Sequence, residues 1–303
     1  MAQWRRTLAL IALLVVAATP TAWATRDEPP PGRINGAPAG PGDIYLALGD
    51  SLATGDEEPS NSADEGYLPG YPAYLDAILD RTQPILLTVD LAVSGETSSS
   101  MRASGGQLEQ AVAFIAAQHA QGRRVSPVTL SIGGNDMVGT FLGQSTLTIT
   151  DTLPLFRANL EVILDTLLSA LTENGQRTGD LIVMNYYNPY PGLTIRSLPP
   201  QIVLAPGQEP IVTDVEVPRF NQIIAEEAAE RGIPIVDAYG AFLGRIDQLT
   251  FVRLPYNFLD LANIARNFDY HPREAGHQVL ARGFAEASGY PLVLPRAWVP
   301  MVK

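Results

Sequence analysis

Short apolar runs alternate with amphipathic stretches along most of this chain. Ile44–Leu48, Ile85–Val93, Val128–Ile132, Leu181–Met184 and Ile233–Val236 are largely apolar, and such runs predict strands buried on both faces. Between them, apolar residues recur at helical spacing. Leu108, Ala111, Val112 and Ile115 fall at i, i+3, i+4 and i+7, the signature of an amphipathic helix. Phe156, Leu160, Ile163, Leu164, Leu167 and Leu171 share one face of another, with Gly175 as its expected C-cap. Helices are also expected over Tyr71–Leu79, over Phe220–Arg231, and from Pro272 onward, where proline suits a first turn. Buried strands separated by helices predict an α/β fold, a central parallel five-stranded sheet covered on both faces. Ligands bind such sheets at the carboxyl ends of the strands. The chemistry is therefore expected in the loops that follow them.

The ends of the chain and its charge change this picture in two ways. Arg5 and Arg6 precede the apolar stretch Thr7–Ala18, and Ala22-Trp23-Ala24 follows. That order predicts a secretory signal over residues 1–24, cleaved near Ala24. The apolar stretch falls short of the roughly 20 residues a membrane span needs, which favours cleavage over an anchor. Thr25–Gly42 is rich in proline, glycine and charge and predicts a disordered tether, leaving residues 43–303 as one domain. The expected location is extracellular and the expected state a monomer. Without its first 24 residues the chain keeps 18 basic residues against 32 acidic ones, a balance of −14. Nucleic acid and anionic membrane surfaces are unsuitable partners for such a chain, because phosphate binding needs a basic face. There is no cysteine, which excludes disulfides, thiolate metal sites and a cysteine nucleophile.

Four loops hold groups suited to acyl transfer. The first strand ends at Gly49-Asp50-Ser51, beside a predicted helix start. The second is followed by Ser94-Gly95-Glu96, the third by Gly133-Gly134-Asn135-Asp136, and a late loop carries Asp269, His271 and Pro272. A serine nucleophile needs a base. The tetrahedral intermediate needs donors aimed at its oxyanion. A glycine N–H can approach closely, and an asparagine amide donates without a competing charge.

Taken together, these blocks resemble the SGNH, or GDSL, hydrolase family over essentially the whole mature domain. The matching segments are Gly49-Asp50-Ser51-Leu52, Ser94-Gly95-Glu96-Thr97, Gly133-Gly134-Asn135-Asp136, and His271-Pro272 with Gly276-His277. The resemblance implies a flavodoxin-like three-layer α/β/α sandwich and a GDSL-type esterase or lipase without a cofactor or metal. Its substrate would be a small-molecule, lipid or acylated-glycan ester. By the same resemblance Ser51 is the nucleophile and His271 the general base. The oxyanion hole comprises the Ser51 and Gly95 N–H groups and the Asn135 amide. The family's acid stands three residues before the histidine, and Phe268 occupies that position here. Asp269, two residues before His271, is the expected substitute, with a backbone carbonyl or Asp260 as alternatives.

Simpler roles exist for each residue. For Ser51 the simpler role is a helix cap, for Asn135 a turn after Gly-Gly, and for Gly95 loop punctuation. Asp50 and Asp136 are expected to hold loops rather than react, and His119 and His277 to be structural or exposed. The alternatives are a carbohydrate O-acetylesterase and, outside enzymes, a catalytically weak glycan- or lipid-binding relative. Two long segments, Tyr186–Val217 and Phe242–Phe268, are rich in apolar residues and proline and are candidates to line an acyl pocket. No G-x-S-x-G elbow, H-E-x-x-H pair or glycine-rich nucleotide fingerprint occurs.

Overall fold

The computed structural model describes residues 38–56, 68–82, 87–141, 147–193, 213–256 and 269–294. The expected signal, most of the tether, Asp260, Phe268 and large parts of both apolar segments lie outside these residues. The sheet strands are β1 (Ile44–Gly49), β2 (Leu87–Asp90), β3 (Val125–Ser131), β4 (Leu181–Met184) and β5 (Ile235–Val236). They pair in the order β2-β1-β3-β4-β5, every pairing parallel. This is the flavodoxin-like order, and its direction reverses at β1 and β3. The carboxyl ends of those two strands flank the crevice where such sheets bind ligands.

Burial explains the strand composition. Every residue of β1, β3 and β4 is buried, in line with the apolar character of β1 and β4, and β3 also buries the hydroxyl residues Ser126, Thr129 and Ser131. At the sheet edge, β2 departs from the expectation of burial on both faces: Leu87 and Asp90 are exposed, and among the described residues no strand pairs with its outer side.

The helices are α1 (Ser51–Thr54), α2 (Tyr71–Leu79), α3 (Ser98–Met101), α4 (Gln107–His119), α5 (Gly134–Phe141) and α6 (Ile149–Ala170). They continue with α7 (Thr213–Arg231), α8 (Ala238–Phe242), α9 (Ile246–Leu249) and α10 (Glu274–Ala287). One packed group is α2 with α8, α9 and α10; the other joins α3 to α7 around α6. These are the outer layers of the sandwich. Tyr71 of α2 stacks on Phe284 of α10 at 4.5 Å, and Phe156 of α6 on Phe220 of α7 at 4.0 Å.

Four expectations are corrected. Gly175 does not cap α6; it follows Asn174 in a tight hairpin between Thr172–Glu173 and Gln176–Arg177. Positive φ at both, 52° and 74°, is what a two-residue turn of this kind requires, and Asn-Gly supplies it. The α7 helix begins at Thr213 rather than Phe220, with Pro218 inside it concealing the first turns from a pattern reading. Pro272 precedes α10 instead of opening it, because it forms a β-bridge with Thr250 and Arg273 becomes the N-cap. Finally, the last residues of the expected tether are fixed to the fold. Ala39 and Gly40 donate their N–H groups to the Asp180 carboxylate at 3.0 Å each, and Gly42 N–H donates to the Ser126 carbonyl at 2.8 Å.

Candidate active site

Gly49 closes β1 against β3, and a Cβ there would lie 2.1 Å from the Ser131 carbonyl oxygen at a φ of +135°. Only glycine fits. Asp50 then caps α1: its carboxylate accepts the Leu52 N–H at 3.1 Å and the Ser131 hydroxyl at 3.2 Å, and it also accepts the Tyr186 hydroxyl. Capping thus belongs to Asp50, and Ser51 is left as the first helical residue. Burial pushes the Asp50 carboxyl up to about 6, against the opposing pull of those hydrogen bonds.

His271 reaches Ser51 from the other side of the crevice. Its Nε2 lies 3.0 Å from Ser51 Oγ, and its Nδ1 lies 2.8 Å from Asp269 Oδ1. The same Asp269 oxygen accepts the His271 backbone N–H at 3.0 Å. An aspartate that bonds the main chain two residues on folds its side chain over a tight turn, which brings the carboxylate to the ring despite the short spacing. Neighbouring strands of backbone hold this loop. Phe251 N–H donates to the His271 carbonyl at 3.0 Å, Arg273 N–H to Leu249 at 2.8 Å, and Arg273 Nε to Thr250 at 2.7 Å. The Tyr270 ring stacks on the imidazole at 4.6 Å.

Asn135 is the second residue of α5 and lines a small cavity together with Ser51. Its amide donates to the Glu96 carbonyl at 2.9 Å, which fixes the plane of the side chain. Gly95 is exposed at a φ of +81° and does not line that cavity. Asp136 turns away from Ser51 and binds the Ser98 N–H and hydroxyl at 2.8 and 2.6 Å. Burial raises its carboxyl above the usual range.

Sequence reasoning missed Gln107. Its Oε1 accepts the Gly49 N–H at 2.6 Å, while its Nε2 donates to the Gly49 carbonyl and to Glu96 Oε2, both at 2.9 Å. One buried amide therefore ties the end of β1 to the loop that orients Asn135. Tyr186 was also missed as the partner of Asp50. Nothing local in the sequence marks either residue, since Gln107 and Gly49 are 58 positions apart. His277 is buried on α10 with an unpaired Nδ1, and burial lowers its pKa to about 3. His119 lies 3.2 Å from Glu173. Among the described residues, no three histidine, cysteine or acidic side chains gather as a metal site, and no helix is long and apolar enough to cross a membrane.

The flavodoxin-like sheet places this set of polar side chains at its switch point within a three-layer α/β/α sandwich. A family model, the GDSL-like Lipase/Acylhydrolase family, matches residues 47–279. The chain belongs to that family and is thereby a carboxylic ester hydrolase. Comparison with curated protein sequences gave no match. Among solved structures, a lipase from a goat rumen metagenome superposes with a TM-score of 0.53 at 18% identity, over 82% of this chain and 97% of that one. A variant of an acetyl xylan esterase from Geobacillus stearothermophilus gives 0.52 at 19% identity, over 84% and 99%. At such identities the likeness concerns the fold.

Proposed function

We propose that this protein is a secreted serine ester hydrolase acting through an acyl-enzyme on Ser51. The observation that carries the reading is the continuous line from Ser51 Oγ through the His271 ring to Asp269, at 3.0 and 2.8 Å. In this reading the Ser51 hydroxyl donates to His271 Nε2, and His271 Nδ1–H donates to Asp269. Ser51 attacks the ester carbonyl as His271 takes its proton. The negative charge that develops on the carbonyl oxygen is met by the Ser51 and Gly95 N–H groups and the Asn135 amide. His271 then protonates the leaving alcohol and activates the water that releases the acid. Asp269 holds the ring tautomer and offsets the charge of the imidazolium. No step calls for a metal or cofactor.

Substrates in this reading are small-molecule, lipid or acylated-glycan esters. Nucleic acid is disfavoured by the acidic balance of the chain, 32 acidic residues against 20 basic. The deciding experiment compares hydrolysis of p-nitrophenyl esters by wild type and by Ser51→Ala. Loss of activity in a folded Ser51→Ala protein supports the nucleophile; retained activity refutes it. Secretion has its own test, since protein recovered from culture medium should begin near Thr25. An N-terminus that retains Met1 refutes cleavage.

A further inference from the structure

The cavity against Ser51 measures about 20 Å³. A single water needs roughly 10–15 Å³ of such space, so the part enclosed by the described residues holds little more than a methyl-sized group. The walls come from Met137 and Val138 on α5 and from Tyr186, Tyr187, Pro189 and Tyr270. We propose that this cavity is the acyl pocket and that it admits acetyl esters while excluding butyryl and longer chains. The proposal rests on the assignment of Ser51 as nucleophile.

Confinement alone would not set such a limit if the walls gave way, but each tyrosine is tied. Tyr186 donates its hydroxyl to buried Asp50, and its backbone N–H and carbonyl are held by the Asn221 side chain at 2.9 and 2.6 Å. Swinging it out would strip a donor from a buried carboxyl. Tyr187 stacks on Phe242 at 4.3 Å and donates its hydroxyl to the Tyr270 carbonyl at 2.7 Å. Tyr270 stacks on His271 itself at 4.6 Å. A longer acyl chain would therefore have to displace the groups that orient the reacting residues. Among the described residues, no comparable wall is placed for the alcohol half. The His271 side chain, which protonates the leaving alcohol in this reading, is 30% exposed, so the alcohol departs on the side that is open to solvent. The substrate class is an acetyl ester of an alcohol that can be bulky.

The test is kcat/KM for p-nitrophenyl acetate, butyrate, hexanoate and octanoate with wild type, Ser51→Ala and Val138→Ala. The expected wild-type profile falls at least about tenfold from acetate to butyrate, given what one methylene is worth in an apolar pocket. Val138→Ala removes wall atoms and should raise the butyrate-to-acetate ratio by about tenfold. A wild-type profile that is flat or rises toward octanoate, with activity still abolished in Ser51→Ala, overturns the pocket and leaves the nucleophile standing. Acetate hydrolysis that survives Ser51→Ala overturns the reading beneath it. An unchanged ratio in folded Val138→Ala overturns this cavity as the acyl site. Should Val138→Ala fail to fold, the wild-type inactivation rates by p-nitrophenyl methylphosphonate and octylphosphonate esters decide. Strong preference for the methyl reagent supports the pocket, and equal rates overturn it.

Discussion

Ser51 and Asp50 share the end of one strand but have different environments. Asp50 is enclosed and fully engaged by Leu52, Ser131 and Tyr186, whereas Ser51 Oγ faces the imidazole of His271. On the far side of that ring, Asp269 uses one oxygen for both the backbone and the ring N–H of His271. In the proposed mechanism, a carboxylate so placed sets the tautomer. Asp269→Asn should therefore lower kcat by about 10⁴-fold with little change in KM. Single-turnover and steady-state rates on an acetate ester check this, and a loss below tenfold would hand the orienting role to a backbone carbonyl. Asn135 is constrained in a similar way, since Glu96 takes one of its two amide hydrogens and thereby aims the other. Asn135→Ala should cost on the order of 10²–10³ in kcat, and a kcat within a factor of two of wild type would remove Asn135 from the oxyanion hole. Both residues were singled out from the sequence. The geometry of Asp269 was not, because a two-residue spacing reaches the ring only through the tight turn that the aspartate itself stabilises.

Elements bring these residues together, and Gln107 joins the elements. It sits at the start of α4 and grips both backbone groups of Gly49 while bonding Glu96. In Gln107→Ala the buried Gly49 N–H loses its partner, which costs about 1–3 kcal/mol. The loop carrying Glu96 and Gly95 would also be released from β1. Misplacement of donors by about an ångström costs on the order of 10²-fold. Gln107→Ala should thus lower kcat on acetate far more than it raises KM. A purely structural role predicts a lower Tm with kcat unchanged, and that result would reject Gln107 as a positioning residue. The strands were readable because β1 and β4 are dominated by apolar residues and β3 carries apolar residues at Val128, Leu130 and, just beyond it, Ile132, all of them buried. The clamp was unreadable because it is a contact between residues remote in sequence. Turn chemistry accounts for the boundary errors: Asn174-Gly175 announces a hairpin more strongly than a helix cap, and Pro272 was diverted from α10 by its bridge to Thr250.

At the scale of the whole molecule, two buried groups set opposing responses to acid. Asp50 rises from 3.8 to about 6 through burial. Between those values the folded state holds a proton that the unfolded chain has released, so this group makes stability fall as pH rises. His277 falls from 6.5 to about 3, again through burial with a smaller push from His271. Between those values the unfolded chain binds the extra proton, so the stability contributed by neutral His277 is present above about 6.5 and is lost as pH falls toward 3. The two slopes overlap from about pH 4 to 6 and oppose each other. Replacing His277 by phenylalanine removes one slope only. It forfeits no hydrogen bond at Nδ1, which has no partner, so Tm near neutral pH should change little. Toward pH 4 the variant should gain on the wild type, and its Tm should decline from about pH 4 to 6 where the wild type is flatter. Thermal unfolding of both proteins across that range is the measurement. Parallel curves would mean that His277 is not held neutral by the fold, and the compensation between these two groups would then be wrong.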